Sequence, residues 1–124
     1  MGSDDTFAVV RAYHRGWTSQ QFDDAVELLA PDLSVEVPIN SYPTRDLFAE
    51  ALINFGSLAT SVELLSELDR GDEAMLLYDM HVEGLGPLRV AEHFTVTDGQ
   101  ITRIRQIHDT APVRAAGFTQ NPDS

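Results

Sequence analysis

The dipeptide Asp98-Gly99 stands between two runs of alternating apolar and polar side chains, residues 88–97 and 100–108. It is a strong short hairpin signal, because both positions tolerate the positive φ that a two-residue turn between right-twisted strands requires. It therefore predicts an antiparallel pair towards the C-terminal end. Residues 60–68 and 73–83 also read as strands, with Asp69-Arg70-Gly71-Asp72 and Gly84-Leu85-Gly86-Pro87 as turns. Together the four runs predict an antiparallel meander.

Within the first hairpin strand, Leu88, Val90, Glu92, Phe94 and Val96 share one face, and Arg89, Ala91, His93, Thr95 and Thr97 share the other. The period of two marks a half-buried strand, and Glu92 is the one polar residue on its apolar face. An ionised carboxylate costs several kcal/mol to bury without a partner, so it takes up a proton, finds a donor or meets water in a cavity. Each outcome bears on function.

The first half of the chain has helical periodicity. Asp4 or Asp5 caps a first helix that runs to about Trp17, with Phe7, Val10, Tyr13, His14 and Trp17 at helical spacing. Thr18-Ser19-Gln20-Gln21 reads as a capping box for a second helix, which Pro31 ends. Residues 32–38 alternate as a short strand with Leu33, Val35 and Val37 on one side, and residues 39–43 read as a loop. Thr44 caps a third helix that Gly56 terminates. Helices followed by a meander predict an α+β fold with the helices on one face of the sheet. Residues 110–124 form an irregular tail.

The 124 residues suffice for one domain. A net charge of −12, from 20 acidic and 8 basic residues, repels phosphate backbones and argues against a nucleic-acid partner. The absence of cysteine excludes disulfides, thiol catalysis and thiolate metal sites. No apolar run reaches the length of a membrane span and no secretion signal is visible at the N-terminus, so the expected location is the cytoplasm.

The strand over residues 73–83 places Leu76, Tyr78, Met80 and Val82 on one face and Leu77, Asp79, His81 and Glu83 on the other. In the last strand Ile104, Gln106 and His108 oppose Ile101, Arg103, Arg105 and Ile107, and both faces are mixed, so pattern alone leaves its parity open. Asp79, His81 and His93 share the face opposite Glu92. They read as a polar outer face, with the arginines as cross-strand partners for the acidic excess, rather than as a metal site.

Four segments carry a family resemblance: Val9-Val10-Arg11-Ala12-Tyr13, Val35-Glu36-Val37-Pro38, Val62-Glu63-Leu64 and Glu92-His93-Phe94. In order and spacing they resemble bacterial ketosteroid isomerases and, more broadly, the NTF2-like (SnoaL-like) superfamily. The resemblance covers residues 6–109 and implies a cone, with three helices over a strongly curved, mostly antiparallel sheet that encloses a pocket. It turns Ile104, Gln106 and His108 inward. It also puts Tyr13 and Glu92 where such isomerases hold a tyrosine and a protonated carboxyl as an oxyanion hole. A homodimer through the outer sheet face is a further expectation of the resemblance.

The departures are specific. Val37 occupies the position of the isomerase's aspartate base and cannot take a proton, so steroid isomerisation is not expected. Val90 stands where the arginine of limonene-epoxide hydrolases is needed. A polyketide-cyclase pattern, with an acid or histidine near the mouth of the cone, is the least damaged, since His108 or Asp109 can take that part. The expected protein is a small cofactor-free enzyme for acid/base cyclisation or isomerisation of a mostly apolar, neutral molecule. Glu92, Tyr13 and His108 are its catalytic residues, and Gln106 orients the substrate. Trp17, Phe55, Tyr78, Met80, Phe94 and Ile104 form the wall, with Val37 among the lining residues. The alternatives are a non-catalytic binding or assembly module, and an epoxide hydrolase or dehydratase.

Overall fold

The computed structural model describes residues 3–38, 40–111 and 115. In chain order its elements are α1 (Ser3–Thr18), α2 (Phe22–Glu27), β1 (Leu29–Val37), β2 (Asn40–Tyr42), α3 (Arg45–Gly56), β3 (Ala59–Arg70), β4 (Glu73–Val82), β5 (Gly86–Thr97) and β6 (Gln100–His108). The strands form one six-stranded sheet in the order β2-β1-β6-β5-β4-β3. Every neighbouring pair is antiparallel except β1 and β6. All three helices lie in the N-terminal half, but β1 and β2 separate the third from the first two. Most of the irregular tail lies outside the described residues.

The hairpin signal is realised as a two-residue turn, with φ of 52° at Asp98 and 81° at Gly99. The register of the β3–β4 pair shifts twice, between Ala59 and Ser61 and between Leu64 and Ser66, and that of β5–β6 shifts between Thr95 and Val96. Such irregularities bend a strand and increase its local twist, which curves the sheet around the helices.

Several local expectations are corrected. α1 begins at Ser3, so Asp4 and Asp5 fall inside its first turn. The capping box does not form: Thr18 Oγ1 donates to the His14 carbonyl at 2.8 Å, and Ser19 Oγ donates to that of Arg15. These hydroxyls close the end of α1, while Gln21 caps α2 without a side-chain hydrogen bond. Pro31 ends no helix, because α2 stops at Glu27 and Pro31 lies within β1. It falls in the interval between Leu29 and Ser34 where pairing with β6 is irregular, so its missing N–H disturbs no regular ladder. Residues 40–42, read as loop, pair with β1 through Val35 and Tyr42, Glu36 and Ser41, and Val37 and Asn40. Thr44 does cap α3, accepting from the Leu47 N–H at 3.3 Å. Gly56, however, is the last helical residue and not a left-handed terminator. A Cβ there would stand 2.9 Å from the Phe22 ring, so close packing of α3 against α2 requires the glycine.

The core lies between the helices and the inner sheet face. Cross-strand partners arrange that face in rows. Ala74, Phe94, Ile104 and Val35 form one row, and Leu76, Glu92 and Gln106 form the next. Tyr78, Val90 and His108 follow, then Met80 and Leu88. The rows from Phe94 downward are packed solid, and those from Glu92 upward border open space.

Candidate active site

A cavity of about 300 Å³ lies between α1, α3 and the inner sheet face. This is the lower end of the usual size for small-molecule sites. Glu92 is on its floor with only 1% of its surface exposed. The pleat of β5 directs it inward with Leu88 and Val90, and the pairing of β5 with β6 puts Gln106 directly opposite. Gln106 Nε2 donates to Glu92 Oε2 at 2.7 Å, and the Tyr78 hydroxyl donates to Glu92 Oε1 at 3.1 Å. Desolvation raises the Glu92 pKa from 4.5 to about 7, against the two hydrogen bonds, which favour the carboxylate and lower it.

Of the expected site residues, Tyr13, Trp17, Val37, Phe55, Tyr78, Met80, Glu92, Gln106 and His108 all border the cavity. Tyr13 does not bond Glu92: its hydroxyl is fully buried and has no hydrogen-bond partner among the described residues. Tyr78, expected only as apolar wall, is the tyrosine that holds the acid. Burial, and secondarily the charge of Glu92, pushes both phenols well above their ordinary pKa, so both are neutral donors. His108 sits at the rim, with Nδ1 3.0 Å from the Asp109 carbonyl oxygen, while the Asp109 carboxylate accepts from the Ala111 N–H.

Phe94 and Ile104 do not line the cavity. Both are wholly buried one row below Glu92, where the Phe94 ring packs edge-on against Tyr13 at 5.7 Å. Parity gave the face of Phe94 and the family resemblance that of Ile104, but depth along the strand decides whether an inward residue meets ligand space or core.

Tyr42, Phe48, Leu52, Leu88 and Val90 border the cavity and were not anticipated. Leu88 and Val90 share the parity of Glu92, so a signal existed for them. Tyr42 and Phe48 depend on the pairing of β2 with β1 and on the docking of α3, which no local pattern encodes. His14 was placed on the helical face without a role. It is buried, its ring lies 4.9 Å from that of Tyr78 and 5.4 Å from that of Trp17, and its Nδ1 has no partner. Burial lowers its pKa to about 4, so it is neutral at pH 7.

On the outer face the polar side chains pair with one another across the strands. Asp79 pairs with Arg89 through two bonds of 2.6 and 2.8 Å, His93 Nε2 lies 2.9 Å from Glu73, and His81 lies beside Ser61. Arg89 on Asp79 and Arg103 on Glu36 are cross-strand pairings of the kind expected for the arginines. No described helix is long and apolar enough to cross a membrane.

Three helices on a curved, open, largely antiparallel six-stranded sheet define an NTF2-like protein. More narrowly, the chain belongs to the SnoaL-like domain family, whose model matches residues 10–104. A crystal structure of a protein from Kribbella flavida DSM 17836 is 31% identical, with a TM-score of 0.83 over 88% of this chain and 90% of that one. An LEH-like epoxide hydrolase from M. tuberculosis is 18% identical, with a TM-score of 0.76 over 92% of this chain and 90% of that one. A de novo designed protein with a curved β-sheet is also 18% identical, with a TM-score of 0.82 over 94% of each chain. The last two likenesses show the fold alone. No curated protein matches the sequence.

Proposed function

We propose that the cavity is the active site of a small cofactor-free enzyme that cyclises or isomerises a mostly apolar small molecule, such as a polyketide or terpenoid-like compound. One observation carries this reading: a fully buried carboxyl, with a pKa near 7, on the floor of an otherwise apolar cavity. Such a group is present in both protonation states at neutral pH and can give or take a proton during turnover. In this reading Glu92 is the proton carrier, Gln106 and Tyr78 fix its orientation, and the Tyr13 hydroxyl donates to a developing oxyanion. His108 exchanges protons with solvent at the rim. The LEH-like epoxide hydrolase of the same fold keeps epoxide opening as an alternative.

A non-catalytic binding module is the second reading. It is favoured by Val37, which borders the cavity at the position where the isomerase resemblance calls for a base. The two readings separate on incubating the protein with a panel of polyketide-like ketones and terpenoid epoxides, followed by mass spectrometry. Product from the wild type and none from folded Glu92→Gln supports the enzyme. Ligand-induced thermal shifts without any product support the binding module.

A homodimer through the outer sheet face belongs to the same proposal. Leu68 and Ile107, 67% and 70% exposed, lie on that face. Sedimentation of the wild type and of Ile107→Arg tests it, with a dimer expected for the first and a monomer for the second.

A further inference from the structure

Among the described residues, the cavity contains a negative charge with no positive counterpart: Glu92 is its one carboxyl group, and no arginine borders it. Arg11, Arg45, Arg70, Arg89 and Arg103 are each engaged with a carboxylate elsewhere. Both partners of Glu92 present donors, so the arrangement suits the acceptor-only carboxylate. Each carboxylate oxygen takes about two hydrogen bonds, and here each accepts one from the protein, which leaves acceptor capacity toward the cavity. Six aromatic side chains line the same cavity: Tyr13, Trp17, Tyr42, Phe48, Phe55 and Tyr78. Aromatic faces attract cations, and more strongly where water is excluded. The net charge of −12 concentrates cations near the protein and repels anions.

We propose that the ligand of this cavity carries a basic amine, whose ammonium group pairs with the Glu92 carboxylate within the aromatic enclosure. The proposal rests on the cavity being the ligand site and deepens that reading by naming a substrate class: an apolar body with one cationic nitrogen. Binding transfers no covalent group. When Glu92 is protonated beforehand, its proton leaves to solvent as the ammonium N–H takes its place. The other titratable groups at hand are the Tyr13 and Tyr78 phenols, both neutral, His14 behind Tyr78, and His108 at the rim.

The test compares N,N-dimethylbenzylamine with its hydrocarbon isostere isobutylbenzene, by calorimetry or ligand-observed NMR on the full chain. At pH 8 the amine is expected to bind at least about tenfold more tightly than the hydrocarbon. That preference should fall up to about tenfold for each pH unit below 7, as Glu92 takes up a proton. Glu92→Gln should abolish the preference while still binding isobutylbenzene, and His81→Gln on the outer sheet face, run in parallel, should keep both the preference and its pH dependence. If Glu92→Gln does not fold, the isostere ratio and its pH profile in the wild type still decide. Equal affinity for the two probes, or tighter binding of the hydrocarbon, overturns the amine proposal and leaves the cavity as a ligand site. Binding of neither removes both.

Discussion

Gln106 and Glu92 face one another directly across the β5–β6 pair, and the Gln106 amide donates to Glu92 Oε2 at 2.7 Å. This bond opposes the desolvation that raises the Glu92 pKa to about 7. Gln106→Leu should therefore push that pKa further up, and should cost roughly 1–3 kcal/mol of stability above neutral pH, where the carboxylate loses a donor. Carboxyl ¹³C NMR titration of Glu92 reads the shift directly. An unchanged midpoint would contradict the assigned contact.

The two buried tyrosines should respond in opposite ways to loss of the hydroxyl. Tyr78 donates to Glu92 at 3.1 Å, so Tyr78→Phe should destabilise the fold by about 1 kcal/mol and raise the Glu92 pKa. The Tyr13 hydroxyl is buried with no partner among the described residues, so Tyr13→Phe should be neutral or stabilising by up to about 2 kcal/mol in the ligand-free protein. Urea denaturation of the two variants checks the contrast. In this reading Tyr13→Phe loses activity at preserved stability.

Glu92 and His14 should tilt the pH dependence of stability in opposite directions. Glu92 has a folded-state pKa raised from 4.5 to about 7, so the folded chain holds more protons between those values. Its contribution is full below about 4.5 and falls as pH rises to about 7, by on the order of 3 kcal/mol. His14 has a folded-state pKa lowered from 6.5 to about 4, so the unfolded chain holds more protons there. Its contribution is full above 6.5 and is lost as pH falls to about 4, by a similar ~3 kcal/mol. In the wild type these two slopes largely cancel. Denaturation at pH 4.5, 5.5, 6.5 and 7.5 should show Glu92→Gln gaining stability with rising pH and His14→Phe losing it. Parallel profiles for the two variants would refute the opposition.

Gly56→Ala brings a Cβ to 2.9 Å from the Phe22 ring, with Trp17 3.6 Å away. Overpacking of this kind costs roughly 1–3 kcal/mol, while alanine at a helical position returns at most about 1. A net loss of about 1 kcal/mol is expected by thermal denaturation. Since Gly56 and Trp17 both border the cavity, ligand affinity should fall as well.

Patterns local to the chain gave the strand faces and one turn, but not the caps and ends of α1 and α2. The period of two placed Glu92, Tyr78 and Met80 on the inner face, and Asp98-Gly99 set the hairpin that pairs Glu92 with Gln106. The motif resemblance chose the parity of β6, which local pattern had left open. The tertiary structure decided what depends on distance through space. It gave Tyr78 to Glu92 and left Tyr13 without a partner among the described residues, because the reach of a phenol depends on how α1 lies over the sheet. It enclosed Phe94 and Ile104 in solid core one row below the acid, a depth that alternation cannot report. It also made a strand of residues 40–42 and drew Pro31 into β1, because pairing with a partner strand outweighed local turn and helix-ending signals. A period repeats identically along a strand and specifies a face, whereas the place where a cone stops being filled depends on the helices packed across it.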